Sequence, residues 1–204
     1  MIKTIFGICC LLLLSQSCFA QDEDYVTDIK VYRALQNAEF RDPQKSPLSE
    51  EQRAGFFGHD FYPIDTKYRV EARFEETPNA RPFPLATTTG GSQIYRRLGI
   101  LHFELDGKKY SLEAYLQVRR FMPKGQKEIV FLPVIDLTNG EETYSAGRYL
   151  HYEGVPEGNT WVIDFNKLYN PYCAYNEKYE CPMVPEPNHL DVAIKAGVKD
   201  YKEQ

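Results

Sequence analysis

The segment LGILHFELDGKKYSLEAYLQV, Leu98 to Val118, decides the fold class. At its centre stands Asp106-Gly107, a dipeptide suited to a two-residue primed turn because both central positions take positive φ. Folding about that turn sets Leu105 against Lys108, Phe103 against Tyr110 and Leu101 against Leu112, which gathers apolar side chains on one face. The same register puts Glu104 opposite Lys109 on the other face, a favourable cross-strand charge pair. Two independent patterns agree on one antiparallel hairpin.

Working outward, YRVEARFEE (Tyr68 to Glu76) alternates with the period of two that marks a strand. Downstream, IVFLPVIDLTNGEETYSAGRYLHY carries Asn139-Gly140, the favoured dipeptide of a second primed turn. Its first strand, Ile129 to Leu137, is a continuous apolar run and is expected to be central and covered on both faces. Pro133 removes a ladder donor there, so a bulge or an edge position is expected at that point. TWVIDFN, Thr160 to Asn166, reads as a further short strand.

Before these strands, Val26, Ile29, Val31, Tyr32, Leu35 and Phe40 approximate one face of a helix over residues 24–40. Arg41-Asp42-Pro43 ends it, and Ser49 with Gln52 has the spacing of a capping box that starts a short second helix. Residues 188–199 are expected to form a brief helix ending near Gly197. The predicted architecture is mainly β: an antiparallel sandwich or partly open barrel, with an N-terminal helix and a short C-terminal helix. The predicted division is a signal peptide over 1–20, a helix and linker over 21–48, and a single β-rich domain over 49–204.

The leader reading rests on MIKTIFGICCLLLLSQSCFA, in which Lys3 precedes an apolar run from Ile5 to Leu14 and then small or polar residues. That run is too short for a membrane-spanning helix. Cleavage after Ala20 removes 20 of 204 residues and leaves 184, and loss of Lys3 takes the formal charge from −5 to −6. Export to the periplasm or medium is expected, with lipid anchoring through Cys18 as the alternative. The acidic balance offers no basic stripe for a phosphate backbone, so nucleic acid is not an expected partner. No integral membrane segment is expected after cleavage, and the oligomeric state is not specified.

Of five cysteines, only Cys173 and Cys181 lie beyond the leader. In an oxidising compartment their simplest state is one disulfide, worth roughly 2–3 kcal/mol for so short a loop. The same bond would close a nucleophilic role for Cys173, which needs a free thiolate beside a base. His189 could complete a metal set with the two cysteines, but the paired short spacing of zinc ligands is missing. His59, His102 and His151 sit among aromatic or strand residues and read as packing or surface positions.

No G-x-S-x-G elbow, H-E-x-x-H helix, phosphate-binding loop or dinucleotide fingerprint is present, and no cofactor is expected. Gly90-Gly91 reads as a turn. Asp136, Asn139, Glu141 and Glu142 crowd one turn without EF-hand spacing. The remaining polar constellation is Asp136 facing Thr143 across the Asn139-Gly140 turn, Arg148 on the return strand, and Asp164, Asn166, Tyr169, Asn170 and Tyr172 in DFNKLYNPYCAYNEKYECP. Arg148 is the expected partner of a half-buried Asp164. Tyr169, Tyr172, Tyr175 and Tyr179 supply flat amphipathic walls suited to a small polar ligand or glycan. Two alternatives are a hydrolase using an acid or base carboxylate or Cys173, and a structural or interaction protein in which the motif is core and turn.

The blocks TNGEETYSAGRY and DFNKLYNPYCAY, with the flanking SPLSEEQRAGFFGHDFYPIDTKYRVEARFE, resemble the bacterial domain of unknown function 1684 over about Phe40 to Gly197. The resemblance implies that Thr138, Gly140, Thr143, Tyr144, Gly147, Arg148, Tyr149, Asp164, Asn166, Tyr169, Asn170, Pro171 and Cys173 are motif positions. It implies no activity. Similar domains also look cytoplasmic, where the two cysteines would serve something other than a structural disulfide.

Overall fold

The computed structural model describes residues 6–119, 121 and 123–202, with side chains from residue 23 onward. The expected leader, including Cys18, falls outside the described side chains. Two helices, α1 (Phe6–Arg41) and α2 (Glu50–Ala54), precede seven strands: β1 (Arg69–Glu76), β2 (Phe83–Ala86), β3 (Ser92–Leu105), β4 (Lys108–Gln117), β5 (Ile129–Val134), β6 (Arg148–Glu153) and β7 (Thr160–Asp164). The antiparallel order is β6-β5-β4-β3-β1-β7, with β2 added on β3, and the sheet curls into a half-barrel.

The Asp106-Gly107 turn joins β3 and β4 in the expected register, with Leu101 on Leu112, Phe103 on Tyr110 and Glu104 on Lys109. Both turn residues have positive φ, 50° and 75°. Curvature enters at a bulge between Arg97 and Gly99. A Cβ at Gly99 would lie 2.5 Å from the Glu75 carbonyl oxygen, so a side chain there would push β1 away. Ser49 caps α2 in a complete capping box with Gln52.

Both sheet faces are covered. Leu112, Ala114, Leu116, Val130, Leu132, Val134 and Leu150 pack inside the half-barrel against Phe165, Leu168 and the C-terminal Leu190, Ile194 and Ala196. On the outer face Tyr95, Tyr115, Phe131 and Tyr149 form a second, aromatic cluster with Leu85 and Val184. This is why Ile129–Val134 reads as an unbroken apolar run.

Three expectations are corrected. β5 and β6 do pair, but with Val134 opposite Arg148, and residues 135–147 form a long loop in place of a two-residue turn. Asn139-Gly140 still turns the chain inside that loop, where Gly140 accepts φ 84° and Thr138 O receives three backbone N–H groups, from Glu141, Glu142 and Thr143. The C-terminal helix is reduced to a one-turn 3-10 segment, Glu186–Asn188, after which the chain runs extended as a strap. Along α1 the buried stripe contains Ile29 and Phe40, while Val31 and Leu35 face solvent. The helix docks through Tyr25, Tyr32 and Arg33, whose polar ends bond Asp164, the Lys167 carbonyl and the Tyr62 carbonyl.

Asn188 explains how β5 tolerates Pro133. Its fully buried carboxamide donates to the carbonyls of Pro133 (2.7 Å) and Glu113 (2.9 Å) and accepts from the Glu113 N–H (2.8 Å). One side chain thus replaces the ladder where β4 and β5 part.

Candidate functional site

The sequence-selected residues separate into three places. Asp136, Thr143 and Arg148 form a buried knot. Because even-numbered residues of β6 face the half-barrel interior beside Leu150, the Arg148 side chain enters the core. There Nη2 donates to Asp136 Oδ2 at 2.7 Å and to the Ile194 carbonyl at 2.9 Å, and Nη1 donates to the carbonyls of Ala196 (2.6 Å) and Val198 (3.0 Å). Asp136 Oδ1 accepts from the Thr138 N–H and hydroxyl and from the Ile194 N–H, and Thr138 shares a hydroxyl contact with Thr143. These side chains hold the C-terminal strap in the barrel, and none of them lines the cleft described below. The expected Arg148–Asp164 pair does not form, because the two side chains serve different structures.

Asp164 and Asn166 instead anchor α1. Tyr25 Oη donates to Asp164 Oδ1 at 2.8 Å and accepts from Asn166 Nδ2 at 2.9 Å. Asn166 also exchanges two bonds with the backbone of Asp65, and Lys167 lies 3.9 Å from Asp164. Burial and the neighbouring carboxylate both push the Tyr25 phenol well above its ordinary value, so it stays a donor.

Tyr169, Asn170 and Tyr172 come together where the third place lies, a cleft of about 720 Å³ between α1, the outer sheet face and the 169–182 loop. Tyr32, Gln36 and Phe40 form the helix wall, and Tyr95, Phe131, Tyr149 and His151 form the sheet wall. Tyr175 and Tyr179 complete the loop wall. His151 stacks on Phe131, and its ring edge hydrogen-bonds the Tyr169 hydroxyl. Glu39 and Glu180 at the rim are already bonded to the hydroxyls of Tyr172 (2.8 Å) and Thr87 (2.6 Å).

His59 sits at the inner end among Phe40, Phe56, Phe61 and Tyr175. Burial, assisted by the Arg41 charge, lowers its pKa to about 4, so it is neutral near pH 7. Burial lowers His151 in the same direction, but its side chain is exposed at the surface, which reduces the desolvation behind that shift. Asn170 is 2% exposed, and its Oδ1 has no hydrogen-bond donor among the described residues while its Nδ2 donates to the Lys199 carbonyl. The cleft therefore offers aromatic surface, neutral imidazoles and at least one buried acceptor.

Cys173 and Cys181 are free thiols, so the expected disulfide is not formed in this structure. A network of weaker bonds joins them: the Cys173 N–H donates to Cys181 Sγ at 3.2 Å, and the Tyr144 hydroxyl donates to Cys173 Sγ at 3.7 Å. The Cys181 thiol as donor, reinforced by Tyr144 and Thr88, draws Cys173 below the ordinary thiol range, while Cys181 moves up. None of the four histidines hydrogen-bonds Cys173 among the described residues, and no group of three metal-ligating side chains assembles there. No helix among the described residues is long and apolar enough to cross a membrane.

His151, Tyr32, Gln36 and Tyr95 were not singled out from the sequence as ligand contacts. Each lies on a regular element whose pattern signals only strand or helix. The one available hint was the aromatic side chains on the outer face of a doubly covered strand.

The family described as "Protein of unknown function (DUF1684)" matches residues 54–199. The solution NMR structure of an uncharacterized protein from Haloarcula marismortui shares the fold with a TM-score of 0.68 and 31% sequence identity, covering 88% of this chain and 96% of that one. No curated protein matches the chain. With the matched span taking in the Arg148 knot, the Asp164 anchor and the tyrosine loop alike, the chain belongs to the DUF1684 family.

Proposed function

We propose that the cleft between α1 and the outer sheet face binds a small polar ligand with flat apolar faces, and that a pyranose sugar is the class it fits. The observation that carries this is the cleft's make-up. A volume near 720 Å³ lies within the usual range for small-molecule sites, and tyrosine walls offer stacking surface while their hydroxyls offer hydrogen bonds. The chain is then a binding module, exported to the cell envelope if the leader at 1–20 is removed as its composition suggests. In that compartment Cys173 and Cys181 would close to a disulfide by exchange with an oxidised dithiol, which takes up their two electrons and two protons.

Hydrolysis by the sequence-selected carboxylates is not favoured. Asp136 and Asp164 are engaged in structural hydrogen bonds, and neither lines the cleft. The test is a saccharide panel titrated into the folded protein and followed by tyrosine and backbone amide NMR shifts. Saturable shifts on Tyr169, Tyr172 and His151 that vanish in Tyr172→Ala are expected. Shifts absent for the whole panel, or unchanged in that variant, would remove the reading.

A further inference from the structure

The cleft does not end at the aromatic walls. A second hollow of about 280 Å³ adjoins it, and the two share Tyr95, Arg119, Phe131 and His151 as lining. This hollow brings Arg96, Arg119 and Lys127 together against one carboxylate, Glu128, on a chain whose formal charge is −5. Arg96, Arg119 and Lys127 form no ion pair among the described residues.

Arg119 is also aimed. Its Nε donates to Gln117 Oε1 at 2.9 Å, and Gln117 Nε2 donates to Gln93 Oε1 at 2.8 Å, with Gln93 itself in the cleft wall. That chain of amides uses Nε and leaves the two terminal nitrogens of the guanidinium for a partner, the geometry that a bidentate carboxylate or phosphate requires.

Elsewhere in the cleft the requirement is reversed. Asn170 Oδ1 and Gln36 Oε1 are buried oxygens of the cleft with no donor among the described residues, and a buried acceptor left unpaired is costly unless a ligand supplies the proton. A ligand matching both requirements presents hydroxyl groups to Asn170 and Gln36, a ring to the tyrosines, and a negative charge to Arg119. A neutral sugar leaves the cations unused, and a simple anion leaves the aromatic walls unused.

We propose that the cleft and its cationic annex form one site for a pyranose bearing an anionic group, held by Arg119 with Arg96 and Lys127. This rests on the sugar-binding reading of the cleft. The anion's source, carboxylate or phosphate, is separated by the choice of probes.

The experiment is calorimetric titration of the full chain with glucose, glucuronate and glucose 6-phosphate at low ionic strength, repeated with Arg119→Gln/Lys127→Gln. Both side chains are exposed, so the double variant is expected to fold. One or both anionic sugars should bind about tenfold more tightly than glucose, an advantage lost in the double variant and eroded by salt. The tighter anion identifies carboxylate or phosphate. Equal affinity for all three sugars would overturn the anionic assignment and leave the sugar-binding reading in place. Binding by none of them would overturn both.

Discussion

Arg148 and Asp136 form an ion pair of 2.7 Å with both side chains fully buried, and the same guanidinium holds three carbonyls of the C-terminal strap. A charge so placed is tolerated only with all its partners present. Arg148→Ala is therefore expected to lose about 3–5 kcal/mol in urea denaturation. A loss under about 1 kcal/mol would contradict the knot's role.

Tyr25 is one of the three polar anchors of the N-terminal helix, bridging Asp164 and Asn166. Tyr25→Phe removes both bonds and is expected to cost about 1–3 kcal/mol. Amide hydrogen exchange should accelerate in α1 before it does in β3 or β4. Uniform acceleration across the sheet would argue that the helix and barrel unfold only together.

Gly197 stands in the strap with φ 76°, and a Cβ there would come within 2.7 Å of the Leu168 carbonyl oxygen and 2.9 Å of that of Phe165. Backbone atoms cannot step aside as a flexible side chain can. Gly197→Ala should lose roughly 1–3 kcal/mol from crowding, with further loss from the left-handed conformation. Gly107→Ala meets no atom within 4 Å, so it should show the conformational cost alone.

His59 has a pKa of about 4 in the folded state, against about 6.5 in an unfolded chain. Between these values the unfolded chain binds the extra proton, so stability should fall as pH drops from about 6.5 to about 4 and then level. The contribution is on the order of 3 kcal/mol. A denaturation series against pH in the wild type and His59→Phe should show this slope only in the wild type. Parallel curves would rule out His59 as the source.

Cys173 is drawn below the ordinary thiol range chiefly by hydrogen bonding from Cys181. In reduced protein, iodoacetamide at neutral pH should label Cys173 ahead of Cys181. Its rate profile should shift to higher pH in Cys181→Ala. The stabilising contribution of the Cys173 thiolate is present above the unfolded thiol value and is lost as pH falls through the lowered folded one. An unchanged profile in Cys181→Ala would show that Cys181 is not the donor.

How much was legible follows the distance over which each feature is decided. The Leu98–Val118 hairpin was readable because its turn, apolar pairs and charge pair are all local. Tyr169, Asn170 and Tyr172 were readable as aromatic and amide side chains crowded into one loop. Arg148 was expected to pair with a half-buried Asp164, whereas its partner is Asp136 and its own burial was not foreseen. Asp136 and Asp164 each border an apolar run, and sequence offers no measure of which one the long 135–147 loop folds back to meet. The strap lacks helix because its carbonyls are taken by Arg148, a bond between residues 46 to 50 positions apart.

By itself, then, the sequence determined the antiparallel pairing, the capped second helix and the apolar run that demanded two covered faces. Turn dipeptides, capping residues and periodicity act within a few residues of one another. Only the tertiary structure decided that Asp136 neutralises Arg148, that Tyr25 rather than Arg148 meets Asp164, and that α1 and the tyrosine loop leave a cleft over the outer face. Those outcomes depend on long-range packing, in which each buried polar group takes whichever partner the closed half-barrel brings within reach.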